Sequence, residues 1–182
     1  MNKIKLVFRG ISEIVGDTEM GIIVLTDSAS IRQISIVCDR QMEDQFTLRI
    51  GKAPIVSKML PEVLCQVLWN IDAIASLEVV ITDIINGEYR ASLINTTTMN
   101  MIAIRASDGV LLSYIADIPL YIEEKLMMRQ SVPFNEAARG MSIPVNSISA
   151  DMLQQALDRA VNDENYELAS YLRDEMKRRE KS

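Results

Sequence analysis

LEVVITDIINGEYRASLI, residues 77–94, decides how the rest of the chain is read. Two runs rich in aliphatic residues, Leu77 to Ile85 and Glu88 to Ile94, flank Asn86-Gly87. That dipeptide most readily supplies the two positive φ angles of a type I′ turn, so the stretch predicts a tight antiparallel hairpin. Upstream, Lys3 to Phe8, Gly21 to Thr26 and Ile31 to Cys38 are further strand-like runs, each bounded by Gly, Asp or Ser. Asp39 can cap a helix from about Arg40, with Met42, Phe46 and Ile50 at helical spacing and Glu43 and Asp44 in the first turn, where the helix dipole favours acids. In LPEVLCQVLWN (60–70), Leu60, Val63, Leu64, Val67 and Leu68 follow the pattern of a packed helix, and Pro61 suits its first turn. Downstream, Thr98 to Ile104 predicts a strand, Ser107 a helix cap before Val110, Leu111, Tyr114 and Ile115, and Pro119 to Ile122 a returning strand. The order β-β-β-α-α-β-β-β-α-β predicts an α+β fold, with mixed or antiparallel sheets and packed helices.

A core domain over residues 1–130 is expected. Residues 131–149, with Pro133, Gly140 and Pro144 and no sustained period, read as a linker. From residue 150 to 182 neither Gly nor Pro occurs, and apolar residues recur at Leu153, Leu157, Ala160 and Val161, then at Leu168, Ala169, Leu172 and Met176. That pattern predicts an antiparallel helical hairpin, too small to be stable without a surface to pack on.

The chain has 182 residues, 48% hydrophobic and 24% charged, an ordinary globular composition. Nineteen basic against 25 acidic residues give a net charge of −6, so a global basic field for polyanions is excluded. The absence of histidine removes imidazole acid-base chemistry and every His-containing metal site. Cys38 and Cys65 share no ligand spacing and are expected as reduced core thiols. Met99, Met101, Met127, Met128 and Met152 are expected mostly as core fillers, and Trp69 as a packed core residue. No run of 18 apolar residues and no signal-peptide pattern occurs, so a soluble cytoplasmic protein without membrane contact is expected. Phosphate loops of the G-x-x-x-x-G-K or G-x-G-x-x-G kind are missing.

The tail LQQALDRAVNDENYELASYLRDEMKRRE resembles the UVR motif, the helical hairpin named from the B and C subunits of the bacterial excision nuclease. The likeness rests on Leu153, Leu157, Glu164, Tyr166, Ala169, Leu172, Arg173 and Asp174. It implies a protein-interaction element, with Tyr166, Leu172 and Arg173 meeting the partner; a plain two-helix tail is the alternative. Residues 3–128 resemble the bifunctional nuclease domain family, credited with DNase and RNase activity. IRASDGVLLSYIADIPLYIEEKL (104–126) carries the likeness most sharply, with Arg105, Ser107 and Asp108 matching the Arg-Pro-Ser-Asp helix start and Ala106 in place of its proline. The hairpin 79–93, and Arg32 with the run ISIV, follow the family more diffusely. The chain departs from it at ISIVCDRQMED, where Asp39 replaces a glycine, and at VSKML (56–60), where the family's Thr-His-Asp has lost its His and Asp.

A nuclease without histidine or a basic surface needs another way to neutralise phosphate, and Mg²⁺ or Mn²⁺ between carboxylates is the usual one. Asp108 is the first candidate ligand and Glu43 the second, with Arg105, Ser107 and Asp108 as the catalytic group on one helix turn. The plainer account makes Ser107 a cap and Arg105 a salt-bridge partner of Asp108. Glu43–Asp44 and Glu123–Glu124 are adjacent pairs, of which one member each can point into a common site. The basic run Lys177, Arg178, Arg179 and Lys181 complements a helix C-terminus. Two functions follow as expectations. One is a metal-assisted nuclease making local contact with DNA or RNA, with a partner-binding tail and no organic cofactor. The other is a non-catalytic module whose core forms a homo-oligomer, suggested by GIIVL as a sheet edge, and whose tail docks a DNA-repair or proteolysis partner.

Overall fold

The computed structural model describes residues 2–14, 17–134, 150–162 and 164–180. Three strands, β1 (Lys3–Ile14), β2 (Asp17–Asp27) and β3 (Arg32–Asp39), lead into helix α1 (Arg40–Ile50). After a 3₁₀ turn at Pro54–Lys58 come α2 (Leu60–Asn70), a second turn at Ile74–Ser76, and strands β4 (Leu77–Ile85), β5 (Glu88–Asn95) and β6 (Met101–Arg105). The chain continues through α3 (Ala106–Ala116), β7 (Leu120–Glu123), α4 (Glu124–Gln130), β8 (Val132–Pro133), α5 (Ala150–Asn162) and α6 (Tyr166–Glu180). The fold is α+β, as the element order predicted.

The eight strands form one mixed sheet in the order β6-β5-β4-β7-β1-β2-β3-β8. Only β4 and β7 run parallel; the other pairs are antiparallel. Asn86 and Gly87 have φ of 53° and 82°, the paired left-handed residues of a type I′ turn, and the β4–β5 hairpin closes on them. β1 is shared between two halves of the sheet. Lys3 to Lys5 pair with β7, whereas Leu6 to Ile14 pair with β2 through a register shift between Phe8 and Gly10.

The core of the sheet lies against α1 and α3. Ile23, Leu25, Ile34 and Ile36 from one half meet Val79, Ile81 and Ile122 from the other, with Phe46, Val110 and Leu126 between them. α3 sits very close to β4: a methyl group on Gly109 would lie 2.9 Å from a Val79 side-chain carbon. Phe8 stacks on Phe46 with centroids 4.9 Å apart, and Tyr114 meets both rings edge-on.

Several expectations are corrected. The stripe that marked α2 as packed faces outward: Leu60, Val63, Leu64 and Val67 are exposed, Leu60 by 69%, and Trp69 is 45% exposed. α2 is apolar on two sides, and the inner one, with Cys65 and Leu68, meets the core. Its orientation is set by Arg49, 3% exposed, which forks onto Glu62 at 2.8 and 2.9 Å. Ile50, at the end of α1, is exposed too, and so are Met99, Met101 and Met128, whereas Met127 is buried. GIIVL is no edge, because β2 lies between β1 and β3.

The sheet also passes the core boundary expected at residue 130. Arg32 and Gln33 pair with Pro133 and Val132, and the Arg32 guanidinium donates to Ser131 Oγ at 2.6 Å and to its carbonyl at 2.9 Å. The remainder of the expected linker, 135–149, lies outside the described residues. Both cysteines are free and buried, as expected. No helix among the described residues is long and apolar enough to cross a membrane.

Candidate functional site

β6 runs straight into α3, so the strand-to-helix switch falls at Arg105, which takes the N-cap position without a capping side chain. Ser107 is therefore a buried first-turn residue and not the cap. Arg105 Nε and Nη2 donate to the two Asp108 oxygens at 2.5 and 3.3 Å, and Nη1 donates to Asp39 Oδ2 at 3.0 Å. Asp39 ends β3 and spends its other oxygen, Oδ1, on the backbone N–H of Met42 at 2.7 Å, capping α1. One guanidinium thus joins the starts of two helices from opposite halves of the sheet. The Asp108 hydrogen bond first, then its charge and the Asp39 hydrogen bond, push the Arg105 pKa further above its ordinary value. The Arg105 side chain is 62% exposed, so the clasp is open to water and adds little to stability.

The clasp lies at a cleft of about 610 Å³ walled by β3 on one side and by β5 and β6 on the other. Ile36, Tyr89 and Ile104 line its apolar part, and Ser107 and Arg105 its rim. Arg90, opposite Arg105 across the β5–β6 pairing, also lines it and pairs with Glu88 at 3.5 Å. Charge in the cleft is therefore mixed. Cys38 opens onto it, but burial first, then the charges of Asp39 and Glu43, push its thiol up to about 12, which leaves no thiolate nucleophile near neutral pH.

The expected metal pair is not assembled. Glu43 is only 6% exposed; its carboxylate lies 3.4 Å from Arg40 and packs on Gly21 of β2, where an added Cβ would stand 3.1 Å from it. Asp108 turns instead to Arg105. Among the described residues no three metal-binding side chains gather at one place. Asp39 and Asp108 converge, yet on a guanidinium, where a divalent ion needs two free carboxylates. As built, the site does not fit a metal ion. Glu124 is engaged elsewhere, accepting from Asn2 at 3.0 Å. Asp39 is the member that the sequence does not reveal as part of the site: its cap bond uses one oxygen, and the other is what reaches Arg105.

In the tail, α5 and α6 pack on each other around Leu153, Ala160, Ala169 and Leu172. Glu164 turns the chain with φ of 57°, and Asn165 N–H donates to the Ala160 carbonyl at 2.8 Å. Leu172 is 2% exposed, so it holds the hairpin together and does not reach out to a partner. Tyr166 and Arg173 are exposed, and both line a groove with Leu157, Val161 and Ser170.

A family model described as the bifunctional nuclease domain matches residues 23–135, and one described as the UvrB/uvrC motif matches residues 151–182. A comparison with curated proteins gave no match.

Proposed function

Since the chain belongs to the bifunctional nuclease domain family, we propose that it cleaves phosphodiester bonds of DNA or RNA in the cleft between β3 and β5–β6, with Arg105, Asp108 and Asp39 as the working group. The observation that carries this reading is one arginine held between two carboxylates at the rim of that cleft. A phosphate entering the cleft competes with Asp108 for the guanidinium, which offers the fork that phosphate oxygens match. Once released, Asp108 stands beside the bound phosphate and can take the proton of an attacking water; as the water oxygen bonds to phosphorus, the bond from phosphorus to one sugar oxygen breaks, and that oxygen leaves as a hydroxyl after taking a proton from solvent. Asp39, fixed by its cap bond to Met42, keeps Arg105 aimed during the exchange. Ser107, buried on the first turn of α3, stands beside Arg105 at that rim and shapes it under the phosphate. With a net charge of −6 and mixed charge in the cleft, nucleic acid is gripped locally and not by a broad field. The UvrB/uvrC motif suggests protein interaction, and we assign the docking of a protein partner to the groove of Tyr166 and Arg173.

A non-catalytic platform is the second reading. It is favoured by Arg105 being already satisfied and by the exposed apolar face of α2. Labelled single-stranded DNA and RNA, incubated with the full chain, D108N and R105A, with Mg²⁺, Mn²⁺ or chelator, separate the two. D108N should slow cleavage about 10²–10⁴-fold and R105A about 10²-fold or more. Cleavage unchanged in both variants overturns the site assignment; no cleavage in any arm leaves the platform.

A further inference from the structure

We infer that Arg90 takes the phosphate next to the one that Arg105 takes, so that the cleft holds two successive phosphates of one unpaired strand and prefers a polymer to a mononucleotide. This rests on the proposed placing of the first phosphate at Arg105. Arg90 and Arg105 are directly opposite each other in the β5–β6 register, which sets their side chains on one face of the sheet with Cβ atoms about 5 Å apart. Both line the cleft, with 54% and 62% of their side chains exposed. Like charges directly opposite each other destabilise a strand pair. The sheet gains nothing from this pairing, whereas an anionic strand laid across both arginines makes it favourable.

The two arginines are held in the same manner. Each meets an acid from its own stretch of chain, Asp108 three residues after Arg105 and Glu88 two residues before Arg90. Glu88 is 67% exposed and stands 3.5 Å from Arg90, and among the described residues the Arg90 guanidinium has no closer partner. An exposed pair of that length is worth little, so Arg90 is the more easily released of the two. A lone phosphate displaces one acid and gains one fork. A strand whose first phosphate is bound presents the next at high effective concentration, and the second acid is displaced with no new loss of free translation. Successive phosphates of one strand are a few ångströms apart, a span that two flexible side chains rooted about 5 Å apart can match. The next pair on the same face, Ser92 and Ala103, is small and also lines the cleft, which leaves room for the sugar between the phosphates.

Fluorescence anisotropy of a labelled oligothymidylate, titrated with the full chain in chelator at several salt concentrations, tests this. Each phosphate contact to a single strand adds about −0.7 to the slope of log K against log salt, so the parent should give about −1.4, and R90Q and R105Q about −0.7 each. R90Q should also bind about tenfold more weakly at fixed salt. R90K should keep the slope of the parent, because it keeps the charge that displaces counterions; R90K with the slope of R90Q would show a structural loss and overturn the proposal. A parent with no affinity up to about 1 mM overturns it as well. Binding is read without cleavage, so the two readings fail separately. R90Q with the slope of the parent overturns this inference alone, and R105Q with that slope overturns the placing of the first phosphate too. A chain that cleaves nothing, yet loses slope in both variants, refutes the nuclease reading and supports the two-phosphate site.

Discussion

Replacing Glu62 by alanine should be among the most damaging single changes available on α2. Arg49 is 3% exposed and directs Nε and Nη2 onto the two Glu62 oxygens at 2.8 and 2.9 Å, while Nη1 donates to the Gln45 carbonyl and side chain at 2.8 and 2.9 Å. Removing the carboxylate leaves a guanidinium in the interior with only Gln45 to satisfy it. Losing one partner of a buried ion pair costs about 3–5 kcal/mol. Glu62 is 13% exposed, so water can reach part of the vacated space, and we expect the lower end, about 3 kcal/mol. In a chain of this size that lowers the melting temperature by roughly 10 °C. Urea titration should show the midpoint fall without a change in slope. E62Q, which keeps one acceptor, should lose about 1–2 kcal/mol. The R49M/E62L double variant should recover most of the stability, because apolar side chains of similar volume replace a buried pair at little or no cost. An E62A loss below about 1 kcal/mol would show the pair to be solvated and would refute the argument that it fixes α2.

Three further outcomes can be checked. G109A gains about 1 kcal/mol in helix propensity but pushes a methyl to 2.9 Å from a Val79 carbon in the core, where overpacking costs about 1–3 kcal/mol; a net loss of up to about 2 kcal/mol in denaturant unfolding is expected, and a gain would mean that α3 can lift off β4. The Cys38 thiol has its pKa raised from 9.0 to about 12 in the folded chain. Its contribution to stability is complete below pH 9 and is lost as pH rises from there towards 12, so alkaline unfolding should be delayed in C38A, and an identical alkaline limb in both proteins counts against the shift. In the tail, L172A removes a side chain from the hairpin core at about 2–5 kcal/mol and should melt α5 and α6 by circular dichroism, while Y166A should leave their helicity intact and weaken only partner binding.

The parts of the fold that the sequence reveals are those whose cause is local. Asn86-Gly87 demands positive φ at adjacent residues, and Asp39 offers an oxygen to the first amides of α1, so both were placed from a few neighbouring letters. α2 shows the limit of periodicity, which finds an apolar stripe without saying whether the molecule's own core or something else covers it. β8, two residues long with a proline, is too short to carry any period. The same applies at the site. Arg105 and Asp108 are three residues apart and their contact could be read directly, but Asp39 is 66 residues from Arg105 and reaches it only because the sheet brings β3 towards β6. Leu172 is legible as a hairpin residue, because it sits in the same apolar series as Leu153 and Ala169, and a residue of that series packs inward and is not offered to a partner.

The seam between β1 and β7 also governs how the chain is made. Lys3 lies opposite Glu123, so the first strand cannot complete its pairing until some 120 residues later have left the ribosome. At about 5–20 residues per second, the β1–β2–β3 meander waits several seconds or more with little beyond α1 to cover its inner face. Pairing so remote in sequence also makes the closing step slow, because the intervening loop must be ordered before any contact rewards it. Newly synthesised chains are thus most exposed to aggregation before β7 arrives, and chaperone demand should fall sharply once residue 123 is available.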